Sequence, residues 1–77
     1  MATGFVLITT QAGQEIAVRD AARKIANVTG QWIVFGLHDL FVKVEAEDEA
    51  ELTRCIVKDV RSIPGIAETR TLIGAEI

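Results

Sequence analysis

Phe5-Val6-Leu7-Ile8-Thr9-Thr10 is a β-branched and aromatic run closed by Gln11-Ala12-Gly13, a pattern that predicts a strand ending in a turn. From Gln14 to Asn27 the period changes. Val18, Ala21, Ala22 and Ile25 recur at spacings of three and four, which puts them on one helical stripe, while Arg19, Asp20, Arg23 and Lys24 fall mostly off it. Asn27 marks the expected stop. Trp32-Ile33-Val34-Phe35 predicts a second strand, and Gly36-Leu37-His38 turns the chain back into a third, Asp39 to Glu45, as a hairpin. Asp48 is the expected N-cap of a second helix, with Glu51 three residues later. Leu52, Cys55, Ile56, Val60 and Ile63 form its apolar stripe. Pro64-Gly65 ends that helix, and Ile66 to Glu76 is read as the last strand.

The order is therefore βαββαβ, and the halves echo each other: Ile25, Val28 and Gly36 are spaced as are Ile63, Ile66 and Gly74. A repeated βαβ unit predicts an α+β, ferredoxin-like fold, an antiparallel four-stranded sheet with two helices on one face. In such a fold a strand that works alone alternates apolar with polar positions. These strands do not. Phe5 and Leu7 point opposite to Val6 and Ile8, Trp32 and Val34 opposite to Ile33 and Phe35, and Phe41 opposite to Leu40 and Val42. Apolar residues on both faces predict that the helix-free face packs on another subunit.

Composition sharpens this. At 77 residues the chain has room for one domain, residues 1–77, and a hydrophobic content of 49% is high for so small an interior. The net charge of −3, with eight basic residues scattered along the chain, argues against direct nucleic-acid binding. One cysteine excludes an intrachain disulfide and any multi-cysteine metal site, and no metal or cofactor is expected. No apolar run approaches the ~18 to 20 residues of a membrane span, and no signal peptide is evident, so cytoplasmic residence is the expectation.

The stretch Val34-Phe35-Gly36-Leu37-His38-Asp39-Leu40-Phe41-Val42-Lys43-Val44, followed by Arg61-Ser62-Ile63-Pro64-Gly65-Ile66 and Glu68-Thr69-Arg70-Thr71-Leu72-Ile73, resembles the effector-binding (RAM) domain of the Lrp/AsnC regulators. Two elements carry the resemblance in combination: a Gly-x-x-Asp hairpin leading into an apolar strand, and a helix ending in Pro-Gly before a Thr-x-Thr strand. The resemblance implies dimers packed sheet against sheet in the manner of a dimeric α/β barrel, a ring of dimers, and amino-acid effectors bound where dimers meet. Full-length members carry a helix-turn-helix, which this sequence lacks, so it resembles the stand-alone members. It departs from the family at His38, where Tyr is frequent.

Gly36 and Asp39 flank the turn. One reading is structural, with Gly36 supplying a positive φ and Asp39 satisfying turn amides. In the other, turn N–H groups hold a ligand carboxylate and Asp39 pairs an ammonium or orders the loop. Both can hold together. Thr69 and Thr71 share a face of the last strand with Ile73 beyond, which reads either as ordinary strand preference or, by resemblance, as hydroxyls for an effector's polar end with Ile73 and Leu40 as its apolar wall. The candidate ligand-binding set is thus Phe35, Gly36, His38, Asp39, Leu40, Thr69, Thr71 and Ile73. His38 is the only histidine and lacks a positioned partner in the sequence, so it reads as a turn residue rather than a catalyst. Cys55 lies on the apolar stripe and reads as core. Trp32 and Phe35, without a basic groove beside them, read as core or interface aromatics.

The leading expectation is a non-enzymatic, amino-acid-sensing module that forms homo-oligomers and modulates full-length Lrp/AsnC regulators. A small dimeric α/β-barrel enzyme and a purely structural oligomerisation partner are the alternatives. One His, one Cys and no Tyr leave few groups for acid–base chemistry.

Overall fold

The central pair of the sheet joins the two halves of the chain. In this computed structural model, which describes residues 1–74, β1 (Ala2–Thr10) runs antiparallel to β3 (Leu40–Ala46) with Val6 opposite Val42 and Ile8 opposite Leu40. β2 (Val28–Ile33) pairs outside β3 and β4 (Ile66–Ile73) outside β1, giving the order β2-β3-β1-β4. The ferredoxin-like α+β expectation holds. Ala75 and Glu76, the expected end of the last strand, lie outside the described residues.

Helix α1 (Glu15–Arg23) lies against β2 and β3, and α2 (Glu49–Arg54) against β1 and β3. Alternation along β1 and β3 sends Val6, Ile8, Leu40, Val42 and Val44 towards the helices, where they meet Val18, Ala22, Leu52, Ile56 and Val60 in one core. Asp48 caps α2 as expected, its carboxylate accepting the Glu51 N–H at 2.7 Å. The second helix is not uniform: from Cys55 to Val60 it widens into a π-helix, α3, in which the Arg61 N–H reaches the Ile56 carbonyl at 2.9 Å. Its apolar stripe still faces the core, with Cys55, Ile56, Val60 and Ile63 all buried.

The internal echo is real. Ile25 N–H bonds the Ala22 carbonyl and Ile63 N–H the Val60 carbonyl, and the next strands begin at Val28 and Ile66. At the second of these turns Gly65 has φ +96, and a Cβ there would lie 3.0 Å from Gln14 Cβ and 3.1 Å from Val18 Cγ2. Backbone conformation and close approach of α1 both require glycine at this position.

Several boundaries differ from expectation, and β4 closes at Ile73, before Gly74. β1 begins at Ala2 rather than Phe5, because β3 extends far enough to pair Ala2 with Ala46. Helix α1 closes at Arg23, four residues before Asn27, whose side chain instead donates to the Glu45 carbonyl at 2.9 Å. β2 starts at Val28 and ends at Ile33, so Val34 and Phe35 belong to the loop. A bulge at Thr29, between the Val28–Val44 and Gly30–Lys43 pairs, lets this polar segment join the sheet.

Candidate functional site

The β2–β3 hairpin is fastened to the end of β1 by side chains. Val34 donates its N–H to the Asp39 carbonyl at 3.0 Å, and Gly36, at φ +124, lets the loop turn. Asp39 donates its N–H to the Ile8 carbonyl at 2.9 Å. Its Oδ2 accepts both the backbone N–H of Thr10, at 2.9 Å, and the Thr10 hydroxyl, at 3.1 Å. One residue back along β1, the Thr9 hydroxyl donates to the Leu37 carbonyl at 3.1 Å and stands 3.1 Å from His38 Nδ1. Beyond these anchors, Phe35 and Leu37 project 98% and 90% exposed.

The predicted site residues divide into two groups. Phe35, Gly36, His38 and Asp39 form the hairpin, while Leu40 points into the core, 2% exposed. Thr69, Thr71 and Ile73 lie on β4 opposite Ile8, Val6 and Gly4, on the helix side of the sheet. Ile73 is thus two strands and four residues away from Leu40, roughly 16 Å at ordinary strand spacing and rise. A small amino acid cannot bridge that distance within one chain. A depression lined by Met1, Thr3, Glu47, Asp48 and Gly74 lies at the opposite end of the sheet and includes none of the predicted residues.

Thr9 and Thr10 were not singled out in the sequence. The signal was present: an aspartate just past a turn needs a donor, and two consecutive threonines at the end of a neighbouring strand offer hydroxyls and backbone N–H groups.

The helix-free face of the sheet carries Phe5, Leu7, Trp32, Phe41 and Leu72. Phe5 and Phe41 stack with ring centroids 5.3 Å apart, and Trp32 lies 5.7 Å from Phe41. The Trp32 ring folds over Gly30, where a Cβ would come within 2.9 Å of Cη2. Trp32 and Leu72 remain about half exposed. Lys43 and Glu45, 3.4 Å apart, share this face of β3, with Lys43 directly opposite Phe5. The Thr29 hydroxyl donates to Glu45 at 2.7 Å and, with Lys43, holds the Glu45 carboxyl below its usual range.

Burial pushes the Cys55 thiol up, with Asp59 adding to the shift, which disfavours the nucleophilic thiolate. Among the described residues no group of three or more His, Cys, Asp and Glu side chains is placed to hold a metal ion. No described helix is long and apolar enough to cross a membrane.

Residues 3–76 match the model of the Lrp/AsnC ligand-binding domain. The chain belongs to this family. Among curated proteins, this Lrp/AsnC domain is similar to an HTH-type transcriptional regulator of Pyrococcus horikoshii, 31% identical over 74 residues, covering 92% of this chain and 49% of that one. It therefore spans about half the length of that relative. Among solved structures it is similar to FFRP-DM1, with a TM-score of 0.92 and 35% identity over 97% of this chain and 100% of that chain. A transcriptional regulator of Neisseria meningitidis, solved as a complex with L-Met, shares the fold at 13% identity and a TM-score of 0.79, covering 97% of this chain and 50% of that chain.

Proposed function

We propose that this Lrp/AsnC domain is an oligomerising, amino-acid-sensing module of the cytoplasm that modulates transcription regulators of its own family and catalyses no reaction. The observation that carries the reading is the helix-free sheet face, on which Phe5, Leu7, Trp32, Phe41 and Leu72 form an apolar patch. Apolar patches of this kind mark interaction surfaces. A four-stranded sheet whose longest strand has nine residues offers roughly 500–600 Å² before side-chain relief is counted, the order of the ~800 Å² per partner of a standard interface.

Assembly also supports the sensing part. The hairpin and the Thr71–Ile73 segment are too far apart to share a ligand in one chain, so an effector site built from both takes its hairpin from one subunit and its strand from another. Exposure of Phe35 and Leu37 at the hairpin, and of Thr71 and Ile73 on β4, suits such a boundary. That a regulator of the same fold holds L-Met makes an amino acid the natural class of effector.

Light scattering on the purified chain, combined with a thermal-shift panel of the proteinogenic amino acids, tests the proposal. The expected result is at least a dimer, with one or a few amino acids raising the unfolding midpoint by mass action. A monomer at micromolar concentration overturns the reading. An oligomer indifferent to every amino acid reduces it to structural assembly.

A further inference from the structure

We infer that β4 is a second self-association surface, on which two copies of this chain pair antiparallel, edge to edge, with Thr69 opposite Thr69 and Glu68 of each copy opposite Arg70 of the other. This contact adds to the assembly reading above but is separate from the helix-free face and does not depend on it.

The sheet has two outer strands, β2 and β4, and they differ as edges. On β2 the Thr29 bulge breaks the ladder, and the Trp32 ring closes over Gly30. Bulges are one way in which sheets blunt an edge against pairing. β4 runs as a regular ladder from Glu68 to Ile73, its irregularity confined to Ala67, opposite the Thr9–Thr10 step. It contains neither proline nor lysine, the residues that commonly protect an edge, and Thr69, Thr71 and Ile73 favour extended backbone. Its outer N–H and C=O groups face away from β1 with no strand beside them.

Charge selects the occupant. Glu68 and Arg70 lie opposite Thr9 and Leu7, on the helix-free side of the strand, and both are exposed. Among the described residues neither takes part in an ion pair within the chain. Residues directly opposite in an antiparallel pair share a face with Cβ atoms about 4.5–5.5 Å apart, where opposite charges attract and like charges repel. Two copies related by a two-fold axis normal to the sheet must set one residue against its own equivalent. Centring on Glu68 or Arg70 opposes like charges, and centring on Thr71 sets Arg70 against Leu72 and Glu68 against Gly74. Centring on Thr69 sets Glu68 against Arg70 twice, with Ala67 against Thr71 on either side. In that register β4 is complementary to itself, so the occupant is a second copy of this chain. The helices of both copies then stay on one side of the joined sheet.

Disulfide trapping reads the register. Thr69→Cys places two thiols at opposite positions with Cα atoms about 4.5–5.5 Å apart, inside the disulfide range. Thr71→Cys leaves them about 14 Å apart. With a mild oxidant added, the Thr69→Cys chain is expected to run as a covalent dimer on a non-reducing gel, while the Thr71→Cys chain, although altered at the more exposed position, runs as single chains. Cys55 is buried and does not compete. No cross-link with Thr69→Cys, or equal cross-linking of both variants, overturns the inference. Light scattering then tests the charges. Arg70→Glu and Glu68→Arg are each expected to weaken the contact by roughly tenfold or more, and their combination to restore it, because exchanging both charges preserves the Glu–Arg pairing. A double variant that assembles no better than the single ones overturns the inference. Phe41→Glu separates the two contacts: the Thr69→Cys cross-link is expected to survive it, and loss of the cross-link in a chain still folded by circular dichroism overturns the inference. Full assembly mass in Phe41→Glu, with the cross-link kept, removes the helix-free face from the assembly and leaves the β4 contact standing.

Discussion

Asp39 accepts the backbone N–H and the hydroxyl of the same residue, Thr10, on one carboxylate oxygen. Thr10 is 8% exposed and Asp39 half-buried, so the Thr10 side of this pair at the junction of β1 and the hairpin is shielded from water. Removing the carboxylate leaves a poorly hydrated N–H without its partner. We expect Asp39→Ala to destabilise the fold by about 1–3 kcal/mol, and Thr10→Val, which keeps the backbone bond, by about 1 kcal/mol. Chemical denaturation checks the order. An Asp39→Ala chain as stable as wild type would show that the carboxylate does not hold the hairpin to β1.

Gly65 and Gly36 both have positive φ but differ in their surroundings. At Gly36 a Cβ meets nothing within 4 Å, whereas at Gly65 it crowds Gln14 and Val18. Gly36→Ala is expected to cost only the conformational term, about 1–2 kcal/mol. Gly65→Ala adds the displacement of α1 and is expected to be the more destabilising, by a further ~1 kcal/mol or more. Thermal unfolding distinguishes them, since each kcal/mol corresponds to roughly 4–8 °C in a domain of this size.

Phe41 sits at the middle of the helix-free face, touching both Phe5 and Trp32. Phe41→Glu is expected to shift the assembly towards monomer, because it places a charge where an interface would be dry. Arg23→Glu, on an exposed helix position, serves as the control and should leave the mass unchanged by light scattering.

Glu45 provides a pH-dependent signature. Its carboxyl is held low, first by the Thr29 hydroxyl and then by Lys43. A depressed carboxylate contributes stability that is present above its unfolded value and lost as pH falls through the lower folded value. At this exposed site the contribution is small, so NMR titration is the better measurement. Thr29→Ala should move the Glu45 midpoint upward, towards the ordinary carboxylate range.

The sequence revealed most where burial dictates period. Val6, Ile8, Val42 and Val44 alternate, Val18 and Ala22 stand one turn apart, and all six are buried. It revealed least where the backbone departs from a regular ladder. Val28 to Gln31 has the composition of a turn, yet the Thr29 bulge lets it pair with β3. The π-helix was hidden because Leu52, Ile56 and Val60 keep the spacing of an ordinary helix on either side of the widened turn. At the candidate site the hairpin and its glycine were legible, as turn chemistry is local. The fastening of that hairpin to Thr9 and Thr10 was not, because it spans about thirty residues of chain.

Trp32 is the only tryptophan, and it lies half exposed on the face that carries the assembly proposal. The chain therefore contains its own fluorophore at a surface whose state is in question. Dilution across the dissociation range should red-shift the emission and open the indole to an aqueous quencher, reporting subunit exchange in real time without any attached dye.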